Sequence, residues 1–149
     1  MRKTPRFSLA SIGNQPATWA LAQPNALDGL VYVASVSSKN PRSAALSKLL
    51  AAKLGKKFTS LTAYEAQGYD AIQLVKLALE KAGSDDPILI KTALEHISGF
   101  KPSFGSEKFT VSFSPTKHIA TDGLCGLVLM QFKGNKPFEP WKTYQASCD

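Results

Sequence analysis

Residues Ser60 to Glu80, SLTAYEAQGYDAIQLVKLALE, leave little choice of local structure. Thr62 with Glu65 three positions on is a capping box: the threonine hydroxyl accepts from the glutamate N–H while the carboxylate reaches back to the cap N–H. Beyond the cap, Tyr64, Tyr69, Ile72, Leu74, Val75, Leu77 and Leu79 cover most of the helix circumference. That distribution predicts a buried helix, because a surface helix keeps one apolar stripe and one polar face. Tyr64 falls in the first turn, so its ring points at whatever lies beyond the N-terminus.

Turn residues divide the rest of the chain into short elements. Phe7 to Ile12 reads as a strand ending at Gly13-Asn14, and Gln15 to Ala22 as a loop or short helix carrying Trp19. The β-branched run Leu30 to Val36 is the clearest early strand. Asn40 and Pro41 form a cap and first helical position for a helix with Leu46, Leu49, Leu50 and Leu54 on one face, closed by Gly55. The long helix from Thr62 stops at Gly83, and Asp86-Pro87 opens another with Leu89, Ala93, Leu94 and Ile97 as its stripe. From Phe100 the pattern shifts to period two through Phe109, Val111 and Phe113. A strand over Leu124 to Phe132, a turn at Lys133 to Lys136 and a last strand near Phe138 to Tyr144 complete the chain.

Composition excludes several functions. At 149 residues and 44% hydrophobic the chain suits one domain with a real core, not a disordered segment. The net charge of +7 raises the question of a polyanionic partner. The basic residues are scattered, however, and the densest group (Lys53, Lys56, Lys57) sits at a helix end, where the dipole favours cations. Without interleaved aromatics this is a solvated basic surface and not a nucleic-acid interface. No apolar run is long enough to cross a bilayer, and Arg2, Lys3 and Arg6 are not followed by the apolar stretch of a signal peptide.

Catalysis has no constellation to rest on. His96 and His118 lie far apart in sequence, the first reading as a solvated or capping side chain and the second as one bonded to backbone in a connector. Neither cysteine has a histidine close in sequence, and no Gly-x-Ser-x-Gly, Walker or Rossmann motif occurs. The chain therefore reads as a non-enzyme with no cofactor and no metal site. Cys125 and Cys148 allow one disulfide, worth about 3 kcal/mol in an oxidising compartment. Equally, Cys125 is a small buried hydrophobe within its apolar strand.

Ser60-Leu61-x-x-Tyr64 opening a long helix, then a turn, a second helix and Phe113-Ser114-Pro115-Thr116-x-His118 leading into closing strands, resembles the branched-chain amino acid (Leu/Ile/Val)-binding proteins. These are periplasmic receptors of ABC importers with the type I periplasmic binding fold. The resemblance runs in order from Lys3 to Trp141. Members of that family are more than twice this length, so it implies an α/β chain corresponding to the C-terminal part of the two-lobed sandwich. It places residues 1–36 and 120–149 in the second lobe and 37–119 in the first. It also implies an extracytoplasmic, periplasmic solute-binding component working with ABC permease subunits. The alternative is a ligand-sensing receptor domain of the same fold coupled to a signalling partner.

Two pocket positions follow from the resemblance. The turn after the first strand, including Ser11 and Ile12, is where amino-acid-binding relatives hold the ligand ammonium with an acidic residue; here it carries no carboxylate. A buried ammonium without a counter-charge is expensive, which implies a solute such as a carboxylate-bearing or aromatic compound rather than a free α-amino acid. Tyr64 occupies the aromatic position at the cleft, its alternative being a core tyrosine. The first-lobe serine and threonine sites that clasp a ligand carboxylate in such relatives precede this segment. Strands Leu30 to Val36 and Leu124 to Phe132 are then expected to present open edges, through which two copies of the chain would form a homodimer.

Overall fold

The computed structural model of the chain describes residues 7–8, 16–120 and 126–139. Ser11, Ile12, Cys125 and Cys148 lie outside the described residues, as does most of the last strand expected near Phe138 to Tyr144.

Elements follow the order β1 (Phe7–Ser8), α1 (Pro16–Trp19), β2 (Val31–Ala34), α2 (Pro41–Leu54), α3 (Ala63–Ala82), α4 (Pro87–Glu95), β3 (Val128–Lys133) and β4 (Lys136–Phe138), with a short 3-10 turn at Gly55–Lys57 after α2. The strands form one sheet in the order β1-β2-β3-β4. β2 runs parallel to β1 and antiparallel to β3, placing Val31 opposite Gln131 and Ala34 opposite Val128. β4 folds back on β3 through Gly134-Asn135. Gly134 has φ 61 at the first turn position, as a II′ hairpin requires. Its N–H meets Asp28 Oδ1 at 2.7 Å, and Asn135 Nδ2 donates to Gln23 O at 2.9 Å, tying the hairpin to the loop before β2.

Among the described residues the two strands expected at open edges lie inside the sheet. β2 and β3 pair with each other, β2 also pairs with β1 at Val31 and Tyr32, and β3 with β4 from Gln131 to Lys133. The edges are β1, described over two residues, and the three-residue β4 with Pro137 in its middle. A short edge strand holding proline and lysine is a poor template for a second copy.

Two apolar cores form, and they share no residue. One packs Tyr32, Val128, Met130 and Phe132 with Trp19, Leu27, Leu30 and Ala34. Trp19 meets Phe132 edge-on at 5.1 Å between ring centroids, and Tyr32 closes the aromatic triangle. Burial among these rings raises the Tyr32 phenol well above its ordinary value. The other core packs Leu46, Ala66, Phe104, Phe109 and Val111 against Val36, Leu50, Leu61 and Phe113.

The second core is built by a loop wedged between helices. Asn40 caps α2 by accepting from Arg42 N at 3.0 Å, while its fully buried amide donates to Pro102 O at 3.2 Å. Ser43 Oγ donates to Ser103 O at 2.6 Å, and Asp70 of α3 accepts from Ser103 N at 2.6 Å. Gly105 turns at φ 74 directly against Phe109, where a Cβ would meet the ring at 2.6 Å. The period-two pattern after Phe100 thus marks alternate burial without a strand. Among the described residues it forms only isolated bridges, Phe100–Val111, Gly105–Val36 and Ser114–Lys117.

α3 has the expected capping box, with Thr62 and Glu65 bonded to one another. Burial works to raise the Glu65 value, but hydrogen bonds from the Thr62 hydroxyl and from the backbone hold its carboxyl below the ordinary range. The helix is not buried as its composition predicts. Ala66, Asp70 and Ala78 are its buried residues, while Ile72 is 67% exposed and Tyr69, Val75, Leu77 and Leu79 are also exposed. Among the described residues, α4, the wedge loop and the Leu46 face of α2 pack against it, and its other apolar residues stay exposed.

Candidate functional site

A cleft of about 530 Å³ opens between the two cores. One wall is the end of β2 and the segment that follows it; the other is the inner face of α2 with the approach to α3. Ligand clefts in α/β folds form where strands end, because successive chain segments diverge there. Here that divergence carries the chain from the sheet core, which takes Ala34, to the helical core, which takes Val36.

Hydroxyl groups dominate the polar lining. Ser35 and Ser38 come from the β2 exit, Ser43 and Ser47 from one face of α2, and Thr62 and Tyr64 from the start of α3. Ser43 and Ser47 share a face because they stand four residues apart on a helix. Ser60 Oγ, also on the wall, is buried and finds no hydrogen-bond partner among the described residues. No charged side chain lines this cleft among the described residues. Trp19, Tyr32 and Met130 supply an apolar floor from the sheet core.

Tyr64 stands on the cleft wall with 66% of its surface exposed, so it is not a core tyrosine in this structure. The cap places it there: Tyr64 N donates to Thr62 Oγ1 at 3.3 Å, fixing where the first turn begins. Ser11 and Ile12 fall outside the described residues. Sequence reasoning passed over the serines of the cleft. Their signal is the run Ser35-Val36-Ser37-Ser38 at the end of a β-branched strand, which on its own reads as an ordinary polar connector.

Asp70, Glu95, His96 and His118 do not line this cleft. Asp70 is buried beneath the wedge loop, and burial raises its carboxyl above the usual range; hydrogen bonds from Ser103 and the charge of Arg42 oppose that effect. A second cavity beside it, lined by Arg42, Asp70, Lys76 and Lys101, lies between α2 and α3. His96 Nδ1 lies 2.7 Å from Thr92 O at the end of α4, a capping role. His118 does not bond backbone as expected: its Nε2 lies 2.9 Å from Glu95 Oε1, which Lys91 also engages. The Lys91 bond holds the Glu95 carboxyl below its usual range against the opposing effect of burial, and His118 adds to the lowering.

A sequence model of the periplasmic binding protein family matches residues 3–135, and the chain belongs to that family. Its fold is similar to a leucine-binding protein, LivK, from Thermotoga maritima MSB8, with TM-score 0.56 at 19% identity, covering 77% of this chain and 31% of that one. It is also similar to a type 1 periplasmic binding protein from Bordetella pertussis Tohama I, with TM-score 0.59 at 20% identity, covering 76% of this chain and 33% of that one. A search of curated protein sequences finds no match. The architecture is therefore the α/β type I periplasmic binding fold, of which this chain spans about a third of the length of these solved structures.

Proposed function

We propose that this chain is the C-terminal portion of an extracytoplasmic, periplasmic solute-binding receptor, the binding component of an ABC-type importer. It has no catalytic role. Residues 1–36 and 120–149 belong to one lobe and 37–119 to the other, a division supported by the two cores, which divide the described residues along nearly the same lines. The solute is a small amino acid-like or organic-acid compound without a free ammonium. It is taken up as the lobes close on it, the shut state being favoured by contacts from both sides. Ser11, Ile12 and Tyr64 contact it, and the closed form is what the permease subunits receive.

One observation carries this reading: a cleft between two independent cores, rich in hydroxyls and free of charged lining among the described residues. Hydroxyls donate to a carboxylate or to a polar neutral group at low cost, whereas an ammonium left without a carboxylate partner is disfavoured. No helix of the described residues is long and apolar enough to cross a membrane, which accords with a receptor that meets its permease at a surface.

Calorimetric titration with a matched pair of probes, leucine and 4-methylpentanoate, tests the class. The second is leucine without its amino group, and it should bind the more tightly. Preference for leucine overturns the ligand assignment. Tyr64→Ala should weaken binding of the better probe by about 1–3 kcal/mol while the melting temperature of the free protein stays close to native.

A further inference from the structure

The segment that joins the two cores is held from both sides. From the helical unit, Gly105 N donates to Ser35 O at 2.7 Å, and the buried Asn40 amide grips the carbonyl of Pro102. From the sheet unit comes Glu139, one residue beyond β4. Its side chain is only 3% exposed, and Oε1 lies 3.6 Å from Lys39 Nζ. Oε2 accepts from Ser37 Oγ at 2.7 Å and from Ser38 Oγ at 3.3 Å. Ser37 is itself fully buried, and its oxygen accepts from Lys39 N at 3.1 Å.

Three consecutive residues of the joining segment therefore converge on one carboxylate. An ionised group this well buried is tolerated because hydroxyls and an ammonium surround it, and the same dependence makes it hold them firmly. Ser37 and Ser38 line the cleft, so the bonds that hold the joining segment also set where this wall stands. The contact lies close to the point where the chain passes from one core to the other. A small rotation about Ser37 to Lys39 would swing α2 and α3 relative to the sheet. Hinge motions of this kind are absorbed by a few residues at the ends of elements.

We propose that Glu139 is a positioning residue for the cleft: by holding Ser37, Ser38 and Lys39 it fixes the angle between the sheet unit and the helical unit. The inference stands on the geometry of the joining segment and does not depend on which solute the cleft takes. Glu139 has no ligand contact in this proposal. It acts through the serines it holds and through the orientation of the two units.

The test is a distance measurement between the units in the absence of any ligand. Spin labels at Glu80→Cys on α3 and Lys133→Cys on β3, in a chain carrying Cys125→Ser and Cys148→Ser, report the inter-unit distance by pulsed electron paramagnetic resonance. Glu139→Ala should broaden that distribution at least twofold and raise amide exchange at Ser38 and Lys39 about tenfold or more, while exchange within α3 and β3 stays native. Glu139→Gln, which keeps an acceptor oxygen but loses the charge, should fall between, and Lys39→Met should change the width less than either. An unchanged distribution with unchanged exchange in Glu139→Ala overturns the proposal. So does a loss of protection spread evenly through α3 and β3, which would mark a merely stabilising contact. If Glu139→Ala does not fold, Glu139→Gln decides by the same two readouts, a native width overturning the proposal.

Discussion

The sheet core and the helical core differ in how completely they satisfy their own residues. Around the sheet, Trp19, Tyr32 and Phe132 close an aromatic triangle, and the interior strands pair on both sides. The helical unit buries its wedge loop well but leaves a 20-residue helix with much of its apolar surface uncovered. Both halves of the chain carry enough apolar side chains to bury. What separates them is that, among the described residues, the two interior strands β2 and β3 supply one core and no sheet strand supplies the other. A helix that is apolar around most of its circumference needs cover on several sides, and its neighbours among the described residues provide only part of it.

The largest expected effect probes the closed core. Phe132→Ala removes the ring at the centre of the aromatic triangle and should cost about 3–5 kcal/mol, measured by urea unfolding followed through tryptophan fluorescence. A loss below about 1 kcal/mol would mean that this core is looser than its geometry indicates. The helical core should respond less to an inserted methyl. Gly105→Ala combines a left-handed backbone with a contact at 2.6 Å to Phe109 and should destabilise by about 1–3 kcal/mol, since the ring can shift only by disturbing Val111 and Leu46.

The comparison sharpens on the open face of α3. Ile72→Glu should leave unfolding free energy within about 0.5 kcal/mol of native, because the side chain is already in water. Urea unfolding of both chains checks it, and a loss above about 1 kcal/mol would mean that Ile72 is covered after all.

The smallest expected effects concern acid. Glu95 has a folded value below its unfolded one, so its stabilisation is present above the unfolded value and is lost as pH falls through the folded one. Asp70 is raised by burial, so its contribution has the opposite sign: it is present below the unfolded value and lost as pH rises through the folded one. The two partly cancel on acidification. Asp70→Asn should therefore lose stability more steeply than the native chain between neutral and acid pH, and Glu95→Gln less steeply. Unfolding free energies across that range check both signs, and parallel curves for all three chains would show that neither carboxyl is coupled to folding.

The local features were legible because their determinants lie within a few residues. Asn40 with Pro41, Thr62 with Glu65 and Asp86 with Pro87 start the three longer helices where a side-chain acceptor meets otherwise unpaired N–H groups. Residues Lys133 to Lys136 turn back the chain because glycine takes φ 61 without strain. The family resemblance was legible for a similar reason, as an ordered series of such signals. Tyr64 could be placed at a helix start from sequence, but both a cleft and a core were consistent with that position.

Everything that depended on distant partners was settled by the tertiary structure. Ser35, Ser43 and Ser47 become one cleft only because β2 and α2 diverge around it. Asp70 became a buried clamp because Ser103, 33 residues away, points an N–H at it. Glu139 reaches Ser37 across 102 residues, a pairing no local pattern encodes. The apolar surface of α3 shows the limit most clearly. Its sequence determined the helix and its demand for burial, but how far that demand is met depends on how many surfaces pack against it, and hydrophobic burial is decided by neighbours in space rather than in sequence.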